Sequence, residues 1–122
     1  MTATLLLGRR VLIVEDEPLI ALMVEEDIRS FGCIEVVAAF SRDDAIAAVR
    51  TFGPDVVILD VNLGSTGASF DLADALAEAG IPFIFTSGLL PSDVPERHLE
   101  RPFLSKPYQP SDLTEAVKAI FV

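Results

Sequence analysis

The sequence predicts an α/β domain, a parallel five-stranded sheet with helices on both faces. Three observations carry this. Short apolar runs alternate with amphipathic stretches along all 122 residues. The runs, such as "VLIV" and "VVIL", are continuous rather than alternating, the pattern of strands buried on both faces. Five strands interleaved with helices imply parallel pairing and right-handed crossovers, with one domain filling the chain.

The elements follow in order. "RVLIVED" reads as the first strand, and Pro18 suits the first turn of a helix, where its missing N–H costs nothing. In that helix Ile20, Val24, Ile28 and Phe31 fall on one stripe, and Gly32 stops it. "IEVVAAF" is the second strand. Ser41 followed by Arg42-Asp43-Asp44 looks like a helix cap with acids in the first turn, and the helix runs to about Thr51. "FGPD" breaks the chain before the third strand, Val56 to Asp60. Gly64 and Gly67 mark a loop, and "SFDLADALAEAG" gives a third helix closed by Gly80. "IPFIFTSG" is the fourth strand. Three prolines in "LLPSDVPERHLERP" leave room only for a short helix over 94–100. "FLSKP" is a short fifth strand, and Pro110-Ser111 open a last helix with Leu113, Val117 and Ile120 inward.

The totals narrow the function. A net charge of −10 argues against binding nucleic-acid phosphates, and suits a cation or a basic partner. The single Cys33 excludes an internal disulfide and fits a reducing compartment. The run "TLLL" precedes its arginines, the reverse of a secretory signal, and no apolar run approaches the roughly 18 residues of a membrane span. A cytoplasmic domain without membrane contact is expected, with residues 1–9 as an N-terminal extension and no output domain.

In open α/β sheets, ligands bind beyond the carboxyl ends of the strands. Here the first strand ends in Glu15-Asp16-Glu17 and the third in Asp60. The fourth ends in Thr86-Ser87-Gly88 and the fifth in Lys106-Pro107. Crowded carboxylates repel one another unless a cation neutralises them. Oxygen ligands with room for water suit Mg²⁺, or Mn²⁺ in its place. Such an ion keeps an Asp nucleophile ionised, while a lysine and a hydroxyl opposite neutralise or hydrogen-bond a phosphoryl group. The set is a site for an aspartyl-phosphate.

Over essentially its whole length the chain resembles a receiver domain of two-component response regulators. The pieces are "VLIVEDE", "VVILDVNLG", "PFIFTSG" and "FLSKP", in that order. The resemblance implies a flavodoxin-like three-layer (βα)5 fold with strand order 2-1-3-4-5. It implies that Asp60 accepts a phosphoryl group from a histidine kinase or phosphotransfer protein. Mg²⁺ would be held by Asp16, Asp60 and the backbone carbonyl of Asn62, with Glu15 assisting. Ser87 takes the switch hydroxyl position, Lys106 the lysine position beside Pro107, and Phe103 the aromatic switch position. Thr86 should point to the other side of its strand. "DVNLG" with Phe85-Thr86-Ser87-Gly88 is similar to a subgroup whose fourth strand ends Phe-Ala-Thr-Gly, except that Leu90 stands at the closing Tyr.

The chain departs from the family where Gly64 replaces the usual Pro after the phosphoacceptor. A full fourth helix is likewise replaced by a short or degenerate segment holding a solvent-facing His98, and Leu89 and Leu90 there are expected in the core. That segment normally contributes to the output or dimer face, so output through a downstream protein or a homodimer both stand open. Two other classes compete. An Asp-nucleophile phosphatase of the haloacid-dehalogenase type needs Asp-x-Asp after the first strand, whereas this chain has Asp60-Val61-Asn62 after the third. A flavin module needs a glycine-rich phosphate loop where "EDEPLI" would repel a phosphate. A receiver that binds partners without being phosphorylated is the last option, and the complete set of acids and lysine speaks against it.

Overall fold

The computed structural model describes residues 4–63, 69–88 and 94–121. The Gly64–Gly67 loop, Leu89 and Leu90 lie outside them. The elements in chain order are β1 (Arg10–Val14), α1 (Pro18–Arg29), β2 (Glu35–Ala39), α2 (Arg42–Phe52) and β3 (Val56–Asp60). They continue with α3 (Phe70–Glu78), β4 (Phe83–Ser87), a 3-10 turn (Glu96–His98), β5 (Phe103–Ser105) and α4 (Pro110–Phe121). All strand pairs are parallel, in the order 2-1-3-4-5. Among the described residues, the segment after β4 holds one 3-10 turn, inside the short helix expected over 94–100, because its prolines supply no N–H and fix the backbone.

Strand alternation splits the core in two. Val11, Ile13, Ile58 and Ile84 face α1 and α4, against Val24, Ile28, Leu113 and Val117. Leu12, Val57, Leu59, Phe83 and Phe85 face α2 and α3, against Ala45, Leu72 and Leu76. The central strands are buried along their whole length, which explains their unbroken apolar runs. Residues 4–9 add to this core: Leu6 is fully buried, and its N–H donates to the Phe31 carbonyl.

Helix ends follow the chain chemistry. Ser41 caps α2, its hydroxyl accepting from the Asp44 N–H at 3.1 Å. Gly53 takes φ of +64° to end the same helix, a conformation that a Cβ would strain. On α1, Ala21, Val24 and Ile28 are buried, and Ile20 packs against the same core, in keeping with its place on the stripe. Ile20 is half-buried and lines a groove with Val24, Asp27 and Tyr108.

Candidate functional site

The parallel sheet delivers every strand's carboxyl end to one edge, and the side chains meet there. Asp60 is the last residue of β3, 5 % exposed, and pairs across the sheet with Thr86. Lys106 follows β5, where its N–H donates to the Ser87 carbonyl at 2.7 Å. Its ammonium donates to Glu15 Oε1 at 2.5 Å and to Asp60 Oδ2 at 3.2 Å. The Asn62 N–H donates to the other Asp60 oxygen at 3.1 Å, and the Glu17 N–H to Glu15 Oε2 at 3.2 Å. Glu15, Asp16 and Asp60 each place a carboxylate oxygen within 4.8 Å of the others'.

The electrostatics are unbalanced. Three carboxylates face one lysine, and Glu15 and Asp60 are buried. Desolvation, reinforced by a hydrogen bond with and the charge of neighbouring Glu15, pushes the Asp16 carboxyl above the usual carboxylate range. Burial works against the Lys106 cation, but the bond to Glu15 and the charges of Asp60 and Glu15 outweigh it, so its pKa ends raised. A group of oxygen donors with uncompensated negative charge fits a hard divalent cation, and Glu15, Asp16 and Asp60 are the residues that could hold it.

Ser87 is buried at the end of β4. Phe83 and Phe85 lie in one half of the core and Ile84 in the other. Alternation therefore puts Ser87 on the Phe83–Phe85 side and Thr86 opposite, as expected. Phe103 is half-buried, its ring centroid 6.4 Å from that of Phe85. The Lys106–Pro107 peptide bond is cis.

Two residues at this edge were not anticipated. Ser69 opens α3 but makes no capping bond; its fully buried hydroxyl donates to the Asp60 carbonyl at 2.7 Å, fixing the backbone under the acid. Tyr108 shares the groove with Lys106, and burial, with the charges of Asp27, Glu15 and Asp60, pushes its phenol up to about 12. One expectation is corrected. His98 is not solvent-facing but 3 % exposed, with Nε2 2.6 Å from Asp74 Oδ1 and its ring against Phe83 and Phe85. An apolar cage and a carboxylate acceptor together make burial of the imidazole tolerable.

Among the described residues no helix is long and apolar enough to cross a membrane. The phyllosphere-induced regulator PhyR of Methylorubrum extorquens is 30 % identical over 94 % of this chain and 45 % of its own length. The chain spans about half the length of such curated relatives. The solution structure of SdrG from Sphingomonas melonis is 38 % identical, with a TM-score of 0.76 over 94 % of this chain and 98 % of that one. The anti-anti-sigma factor PhyR from Bartonella quintana is 31 % identical, with a TM-score of 0.75 over 94 % and 48 %. Residues 11–118 match the response regulator receiver domain. With the 2-1-3-4-5 sheet and the acids and lysine at its edge, that match identifies the chain as a member of the response regulator receiver domain family.

Proposed function

We propose that this receiver takes a phosphoryl group on Asp60 from a histidine kinase or phosphotransfer protein in the cytoplasm, and signals by changing its affinity for a protein partner. The observation that carries the reading is the convergence of Glu15, Asp16 and Asp60 on one lysine. An Asp60 oxygen attacks phosphorus, the O–P bond forms, and the donor's N–P bond breaks with its electron pair leaving on the imidazole nitrogen. When bound, Mg²⁺ supplies positive charge that holds the nucleophile ionised and draws in the phosphoryl oxygens. The Asn62 N–H and Lys106 fix the two Asp60 oxygens, so the carboxylate is oriented before the donor arrives. Lys106, already between Glu15 and Asp60, neutralises part of the incoming charge, and the Ser87 hydroxyl would bond a phosphoryl oxygen. The Asn62 carbonyl would be a backbone donor to the ion.

The chain acts in this reading as a signalling module, not a turnover enzyme. The Bartonella quintana relative is described as an anti-anti-sigma factor, which supports output through a protein rather than through nucleic acid. Incubation with a small phosphodonor and Mg²⁺, followed by intact mass, tests the reading. A hydroxylamine-labile gain of one phosphoryl group, absent in Asp60→Asn, is expected. No gain with any donor or kinase would overturn it.

A further inference from the structure

The crossover from residue 94 to 101 has few apolar anchors: Val94 and the His98 ring are buried, while Leu99 is 55 % exposed. Arg101 adds a contact, its guanidinium 4.5 Å from the Phe83 ring centroid, and the segment's side-chain hydrogen bonds to the rest of the fold converge on one carboxylate. Asp74 on α3 accepts from Arg97 Nε at 2.6 Å and Arg97 Nη2 at 2.9 Å, and lies 2.6 Å from His98 Nε2. An ionised carboxylate only accepts, so Nε2 carries a hydrogen and donates it to Asp74. Among the described residues, buried Nδ1 has no hydrogen-bond partner, and the ring's hydrogen-bonded hold falls on Asp74. The ring itself sits edge-on to Phe83 and Phe85, at centroid distances of 5.7 and 5.8 Å. Phe85 in turn touches Phe103.

We propose that Asp74 is a latch. Its carboxylate clasps the crossover through two consecutive residues, and releasing it opens 94–101 as a unit. The sheet and the four helices stay folded while the edges of Phe83 and Phe85 are uncovered. Opening removes one of Phe85's ring neighbours and so loosens the packing under Phe103. The device makes no assumption about chemistry at Asp60, and it gives this domain a local opening step in place of a fourth helix.

Amide hydrogen exchange by NMR on the whole chain tests it. The His98, Leu99 and Arg101 amides, which donate to Pro95, Glu96 and His98 carbonyls, report the turn. Asp74→Ala should speed all three by about tenfold or more, the loss expected for a charge-assisted hydrogen bond, without changing Leu12 or Ile58. His98→Phe keeps an aromatic ring in the cage and deletes its bond to Asp74; it should speed the same three amides. Unchanged turn amides in either variant, or equal acceleration of the strand amides, would overturn the latch. Should Asp74→Ala fail to fold, Arg97→Ala removes only the exposed fork and must still accelerate the turn selectively.

Discussion

Lys106 is closer to Glu15 than to Asp60: its ammonium lies 2.5 Å from Glu15 Oε1 and 3.2 Å from Asp60 Oδ2. The lysine expected to serve the phosphoacceptor is thus held chiefly by an acid 91 positions away in sequence. On the proposed function, a phosphoryl group on Asp60 would compete with Glu15 for that ammonium.

Removing that lysine leaves two buried carboxylates without their cation. Lys106→Ala should therefore lower stability in the absence of metal by about 1–3 kcal/mol, the range for a buried group losing a charged partner. The same variant should gain more from Mg²⁺ than the wild type does, because the ion then meets more uncompensated charge. Urea denaturation with and without Mg²⁺ reads both effects, and identical Mg²⁺ stabilisation in the two proteins would count against the electrostatic picture. Phosphorylation of the variant should persist while its conformational response is lost. Equal NMR shifts on adding beryllofluoride to variant and wild type would exclude that role.

Asp16 should be destabilising in the metal-free protein. Burial and the hydrogen bond and charge of Glu15 raise its carboxyl above 3.8, so the folded state holds the proton that the unfolded state has released. Stability then falls as pH rises from about 3.8 through the raised value, and stays lower at neutral pH. Asp16→Asn is expected to unfold at a higher temperature in chelator and to lose most of its stabilisation by Mg²⁺. A melting temperature below wild type in chelator would refute this.

Ser69 holds the backbone of Asp60, its buried hydroxyl donating to the Asp60 carbonyl. Ser69→Ala leaves a buried carbonyl with one bond fewer, at a cost of about 1 kcal/mol or somewhat more. Unaltered stability in urea would show that the hydroxyl contributes nothing.

What the sequence discloses and what it hides divide along one physical line. Asp60, Glu15 and Lys106 were legible because the strands, though β5 is shorter, end in register, and a parallel sheet then brings the residues at those ends to one edge. Ser69 was hidden because a serine before a helix has a local reading that is sufficient without the distant one. His98 was hidden because its partner lies 24 positions earlier, on α3, and nothing in "PERHLE" announces a cage built by Phe83 and Phe85.

Asp74 gives the domain an acid-sensitive contact. The fork from Arg97, then the bond with His98, hold its carboxyl down to about 2 against an ordinary 3.8. A carboxyl depressed on folding contributes stability that is fully present above the unfolded value and is lost as pH falls through the folded one. The window is therefore about pH 4 to 2, well below neutrality. Asp74→Asn has no such proton to take up, so the stability difference between wild type and variant should shrink steadily as pH drops across that range. Both arms of the contact are partly solvent-exposed at Asp74 and Arg97, so added salt should reduce the difference at pH 5 as well. Urea midpoints at several pH values measure it, and a difference that stays constant from pH 5 to 2 would show that the Asp74 charge plays no part in holding the crossover.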